Sequence, residues 1–240
     1  MWPSLRRHTE TGKALKDGVY TLIKMESLFN FIEKQCIKYG IDESHGLKHA
    51  KGTLMRANDI LASISDISDE ERKMTLYAAA LHDTCDSKYT EVNQAANEIG
   101  YFLRSQHWSA EEITALINIV TSMSYSKLKG SLSSGQIEFP NHGKWQRAYH
   151  VARHADLLEG YIVARCVLYN IHLYPEKSMD EHWERASELF SQRVFTYFSE
   201  GWLFLPRAIE LAFTLEQEAK RCLEERSMDW PEPVIHEIKN

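Results

Sequence analysis

Two histidines four residues apart, a His-Asp dipeptide and an aspartate in an apolar frame are the side chains of this sequence best suited to chemistry. His45 and His49, in SHGLKHAKG, stand at i and i+4, a spacing that puts both imidazoles on one face of a helix. His82 and Asp83 follow the apolar run AAAL. Adjacent helical side chains point about 100° apart, so these two converge on one ion only at a helix end or exposed edge. Asp156 sits in HADLLEGYIVAR, where a bare carboxylate costs several kcal/mol to bury unless it is metal-bound or paired, for example with Arg153 or Arg165. Together these groups offer two or three imidazoles and two carboxylates, a set suited to Mn²⁺, Fe²⁺, Co²⁺, Ni²⁺, Zn²⁺ or Mg²⁺. The 11 histidines of the chain favour such a metal. The four cysteines, Cys36, Cys85, Cys166 and Cys222, are scattered and form no CxxC pair. They imply neither a disulfide framework nor a thiolate zinc site, and point to a reducing, intracellular, cytoplasmic setting.

These residues need helices to position them. The chain has only 11 Gly and 6 Pro in 240 residues, and Val, Ile and Thr never alternate long enough for a sheet, so an all-α bundle is expected. A first helix carries Leu28, Phe31, Ile32, Cys36 and Ile37 on one face and ends at Gly40. A second follows Ser44 and runs through Leu61; a third is capped within SDISDEER and closes at His82-Asp83. Helices are predicted over 90–106 and 109–123, the latter opened by a Ser109–Glu112 capping box. SYSKLKGSLSSGQIEFPNHG reads as a loop, 144–172 as one long helix, and Ser178–Glu181 as a second capping box. A last amphipathic stretch covers about 203–225. The resulting organisation is an N-terminal arm over 1–25, a helical domain over 26–225 and a charged tail over 226–240.

Composition narrows the partners. The formal charge is −6, which disfavours an extended nucleic-acid partner held through phosphate neutralisation. No apolar run approaches the length of a membrane span, and the N-terminus lacks a secretory h-region. The aromatic segment FTYFSEGWLFLPRAIELAF suits core packing or the surface of a homodimer.

The order of a helical His, a helix-terminal His-Asp about thirty residues on and a distant Asp within a helix resembles the HD superfamily of metal-dependent phosphohydrolases. The likeness covers roughly residues 26–175. It is greatest to small HD proteins whose motifs read approximately DxSHxxxHxxRV, LHDxxDxKF, ISF and DADRLD with a downstream IAR. Here the corresponding segments are DESHGLKHAKGT, LHDTCDSKY, MSYSK and HADLLEGYIVAR. Gly52-Thr53 stands for Arg-Val, His154 for the first Asp of DADRLD, Leu157 for its Arg and Glu159 for its last Asp.

The resemblance implies one divalent ion held by His49, His82, Asp83 and Asp156. Four ligands on an octahedral ion leave two positions open, the arrangement of a catalytic site. Such an ion acidifies water and polarises a phosphoryl oxygen, as phosphate-ester hydrolysis requires. Asp86, three residues after Asp83, is placed one helical turn on and implied as general acid or base. Lys88, Lys127 and Arg165 are expected at substrate phosphates, and His45 at substrate or behind the ligands. The implied activity is hydrolysis of a phosphate ester or anhydride of a small molecule, most plausibly a nucleotide; the alternative is a non-catalytic nucleotide- or metal-binding sensor. The HHExxDGxGYP motif of cyclic-dinucleotide phosphodiesterases is absent. A second ion would need His107 and His142, which fall in predicted turns, so one metal is expected.

Overall fold

The computed structural model describes residues 25–130 and 137–233, and within them every regular element is helical. The chain is an all-α bundle. Helix α1 covers 25–39 and stops at Gly40, whose positive φ of 63° lets Ile41 N–H reach the Cys36 carbonyl at 3.0 Å. A 3-10 turn, Glu43–His45, leads into α2, Leu47–Ala62, and α3 spans Asp69–Leu81. Then come α4, Val92–Ser105; α5, Ala110–Ser122; α6, Tyr125–Gly130; α7, Gln146–Glu159; α8, Val163–Leu173; α9, Met179–Gln192; and α10, Pro206–Glu225.

The centre is a three-helix packing of α2, α3 and α7. Fully buried alanines face it from α2 (Ala57), from α3 (Ala78, Ala79) and from α7 (Ala148, Ala152, Ala155). Side chains this small bring helix axes close together, so short ligands from three helices can meet. Helix α5 packs beside α3, and α4 packs on α5 and on the turn over 82–85, whereas α10 leans on α7 and α8 pairs with α9. Both predicted capping boxes form, Ser109 with Glu112 and Ser178 with Glu181.

Four expectations need correction. The helix predicted over 144–172 is broken: α7 ends at Glu159, Ile162 is extended and α8 begins at Val163. Gly160 keeps helical dihedrals, and the chain tightens to i→i−3 bonds at Tyr161 and Ile162 before it extends. Gly160 packs against Tyr197, and a Cβ there would lie 2.8 Å from the Leu157 carbonyl oxygen and 3.4 Å from the Tyr197 hydroxyl. Residues 125–130, read as loop, are helical because Tyr125 and Leu128 are buried; 131–136 lie outside the described residues. Helix α3 stops at Leu81, so His82–Cys85 is a 3-10 turn and not the end of an α-helix. His45 belongs to the turn before α2, so it does not share a helix face with His49. The N-terminal arm lies outside the described residues, apart from residue 25 at the start of α1. Of the tail, Trp230 and Glu232 lie against Lys48. No helix among the described residues is long and apolar enough to cross a membrane.

Two of the departures from the HD motifs meet each other in space. Glu159 is buried, accepts a hydrogen bond from Arg56 Nε at 3.2 Å, and fills the space beside Gly52. A Cβ on Gly52 would lie 2.3 Å from Glu159 Oε2. Gly52→Ala gains about 1 kcal/mol of helix propensity, but it displaces a carboxylate that is paired and enclosed, which costs roughly 1–3 kcal/mol in overpacking and more if the pair breaks. The expected outcome is a net loss of about 1 kcal/mol, read as a fall of roughly 2–4 °C in Tm. An unchanged Tm would mean that Glu159 moves aside freely.

Candidate metal centre

Helix α2 supplies His49, the turn after α3 supplies His82 and Asp83, and the last turn of α7 supplies Asp156. The His49 and His82 Nε2 atoms are 3.1 Å apart. Asp83 Oδ2 lies 3.2 Å from His49 Nε2 and 3.3 Å from His82 Nε2; Asp156 Oδ1 lies 3.4 and 3.3 Å from the same atoms. Every distance involving a ring nitrogen is thus 3.1–3.4 Å, the ligand-to-ligand spacing that bonds of about 2.0–2.2 Å produce around one ion.

The hydrogen bonding of the cluster fits a cation. His82 Nδ1 is 2.8 Å from the Ala79 carbonyl oxygen, so its N–H is spent there and Nε2 faces the centre. Asp83 Oδ2 is buried and meets no donor with hydrogen-bond geometry. Lone pairs facing one another at these distances repel unless a positive charge lies among them. Burial alone would discharge His82, Asp83 and Asp156. Their mutual attraction outweighs it, holding His82 well above the ordinary imidazole range and both carboxylates well below theirs. The site is built for positive charge at its middle. His49, His82 and Asp83 bring one ligand atom each close enough to hold a divalent ion together, and Asp156 Oδ1 adjoins both imidazoles as a fourth candidate.

The cluster opens into a pocket of about 220 Å³. Asp86, Lys88, Lys127, Arg165 and His45, the residues expected around substrate, all line it. Their placement differs in detail from the sequence reading. Asp86 is extended rather than helical, and its Oδ1 accepts the Lys88 backbone N–H at 2.9 Å while Lys88 Nζ lies 3.6 Å from Oδ2. Lys127 Nζ donates to the Thr121 carbonyl at 3.1 Å. Arg165 donates from Nε to the Ser44 carbonyl at 2.7 Å, so it is not the partner of Asp156. Nor is Arg153, whose guanidinium nitrogens have no hydrogen-bond partner.

Asp42 was not anticipated, although it begins the DESH motif. It caps the 3-10 turn by accepting Ser44 N–H at 2.9 Å, accepts the Tyr89 hydroxyl, and lies 3.3 Å from His45 Nδ1. Burial would raise its pKa, but His45, Ser44 and Tyr89 hold the carboxyl well below the usual range. His45 is thereby oriented with Nε2 toward Lys88 Nζ at 3.3 Å. Arg193, Tyr125, Tyr169 and Tyr197 also line the pocket, from α6, from α8 and from the stretch after α9. No spacing rule links these segments to the HD dipeptide, and only the fold brings them to it.

His107 is exposed with φ 63°, and His142 stacks on Tyr149 at 4.5 Å and meets Ser122 Oγ at 3.1 Å. Neither lines the pocket. His107→Ala and His142→Ala are expected to keep the wild-type metal stoichiometry by elemental analysis; loss of one ion of two in either variant would revive a two-metal centre.

No family model matches the chain, and no curated protein matches it. Among solved structures it is similar to the crystal structure of a Lactobacillus plantarum protein, a Northeast Structural Genomics target. That comparison has a TM-score of 0.61 and 18% identity, and covers 85% of this chain and 95% of the other. At this identity the likeness is one of fold.

Proposed function

We propose that this chain is a metal-dependent phosphohydrolase of the HD type, acting on a small phosphorylated compound of the nucleotide class. One observation carries the reading: His82, Asp83 and Asp156, backed by His49, line a pocket whose walls also bear Lys88, Lys127, Arg165 and Arg193 beside three tyrosines. A divalent ion bound there supplies Lewis-acid polarisation of a phosphoryl oxygen and acidifies water at neutral pH. The remaining work falls to the chain itself. Lys88 and Arg165 offset phosphate charge, Asp86 exchanges a proton at the reacting centre, and the faces of Tyr125, Tyr169 and Tyr197 suit a planar base.

The test is an assay of metal-reconstituted protein against nucleoside mono-, di- and triphosphates, with phosphate and pyrophosphate resolved as products. Turnover of at least one member is expected. Binding without turnover across the panel would favour the non-catalytic nucleotide sensor.

A further inference from the structure

Twelve buried side-chain polar atoms among the described residues lack a hydrogen-bond partner, and seven of them lie on two turns of α7. They are the Tyr149 hydroxyl, His150 Nδ1, the three guanidinium nitrogens of Arg153 and both ring nitrogens of His154. Tyr149 and His154 are 0% exposed and Arg153 is 1% exposed. A guanidinium does not escape an apolar site by losing its proton, so its charge has to be met by something. Burial pushes the Arg153 pKa down to about 10 against the opposing pull of Tyr149 and Asp156, which leaves it charged at neutral pH.

The unpaired groups are donors. Gln146 Oε1 accepts the His142 N–H at 2.7 Å, which fixes the amide so that its nitrogen donates to the Pro140 carbonyl and, at 2.9 Å, to His150 Nε2. His150 therefore carries its proton on Nδ1, the unpaired atom. His154 offers one N–H in either tautomer. The cover is aromatic: the Arg153 guanidinium carbon lies 4.4 Å from the Phe139 ring centre and 5.5 Å from that of Phe204, and Phe204 packs on His150 and His154. Cation–π contact balances part of the charge but accepts none of the directed N–H bonds. Phe139 and Phe204 sit on non-helical segments, and Phe204 is 40% exposed, so the cluster is closed from outside by these rings. None of its four residues lines the metal pocket.

We propose that Tyr149, His150, Arg153 and His154 form a second binding site, for a small phosphate-class oxyanion, beneath Phe139 and Phe204. Tetrahedral oxyanions present several acceptors around one centre, the complement of a forked guanidinium flanked by a phenol and two imidazoles. The site is independent of the metal chemistry, and its test is arranged to keep the two apart.

Thermal unfolding of the full chain, in excess chelator and at constant ionic strength set with chloride, is followed as inorganic phosphate replaces chloride. Wild type is expected to gain roughly 5–10 °C in Tm at a hundredfold excess over Kd. Arg153→Met, close in volume, is expected to lose that response, and Arg165→Ala, in the other pocket, to keep it. Tyr149→Phe removes one donor and little else; it is expected to weaken phosphate about tenfold, and it serves as the reading if Arg153→Met does not fold. No phosphate response in wild type would overturn the proposal. So would a response kept by Arg153→Met or Tyr149→Phe at full strength, or one lost on Arg165→Ala.

Discussion

Alanine at His49, His82, Asp83 or Asp156 is expected to strip the metal from a chain that stays helical. Each of the four supplies an atom 3.1–3.4 Å from a ring nitrogen of the cluster, so none has a substitute. Ligands one shell further out typically alter affinity 10–100-fold, so loss of a direct ligand should weaken binding by at least about 100-fold. The fold should survive, because the alanine-lined packing of α2, α3 and α7 does not depend on these polar groups. Elemental analysis with circular dichroism reads both parts. Cys36→Ser and Cys222→Ser are the controls and should retain full metal. If the four alanine variants kept full occupancy, the assignment of the ligands would be wrong at those positions.

The second large effect separates two residues that share a short segment. Asp86→Asn keeps an oxygen to accept the Lys88 N–H but cannot exchange a proton, so kcat should fall roughly 10²–10⁴-fold with metal still bound. On the proposed function, Lys88→Ala removes a cation placed to meet phosphate in both ground and transition state, so much of its effect should appear in KM. The Asp86 variant should also lose one limb of a bell-shaped pH profile, which the Lys88 variant should keep. Wild-type turnover by Asp86→Asn would reduce Asp86 to a loop anchor for Lys88.

That His49, His82, Asp83 and Asp156 come together was legible through the resemblance their order carries, and the helix caps because Ser109–Glu112 and Ser178–Glu181 are local chemistry. What escaped depends on contacts distant in sequence. Apolar periodicity runs straight through LLEGYIVAR, and one glycine costs a helix only about 1 kcal/mol, so nothing local stops it at Gly160. The chain leaves the helix just past the point where Tyr197, far along the sequence, packs on Gly160. Asp86 was placed by assuming 3.6 residues per turn where the backbone tightens to a 3-10 turn and then extends. Arg153 was within reach of Asp156 on the same helix, yet its guanidinium lies among aromatic rings contributed by the segments at 139 and 204.

The meeting of Gly52 with Glu159 bears on how this sequence can have changed over time. A side chain at 52 and Glu159 in its present position compete for one space, so the two positions are expected to be coupled. A lineage moving between Gly–Glu and a bulkier residue with Asp must first shorten the acid or first lose the side chain, since the opposite order passes through a clash. Glu159→Asp should therefore be tolerated before Gly52→Ala and should relieve it afterwards. Mutational paths through this helix contact are directional, because only one order of changes avoids placing a Cβ at 52 against the Glu159 carboxylate.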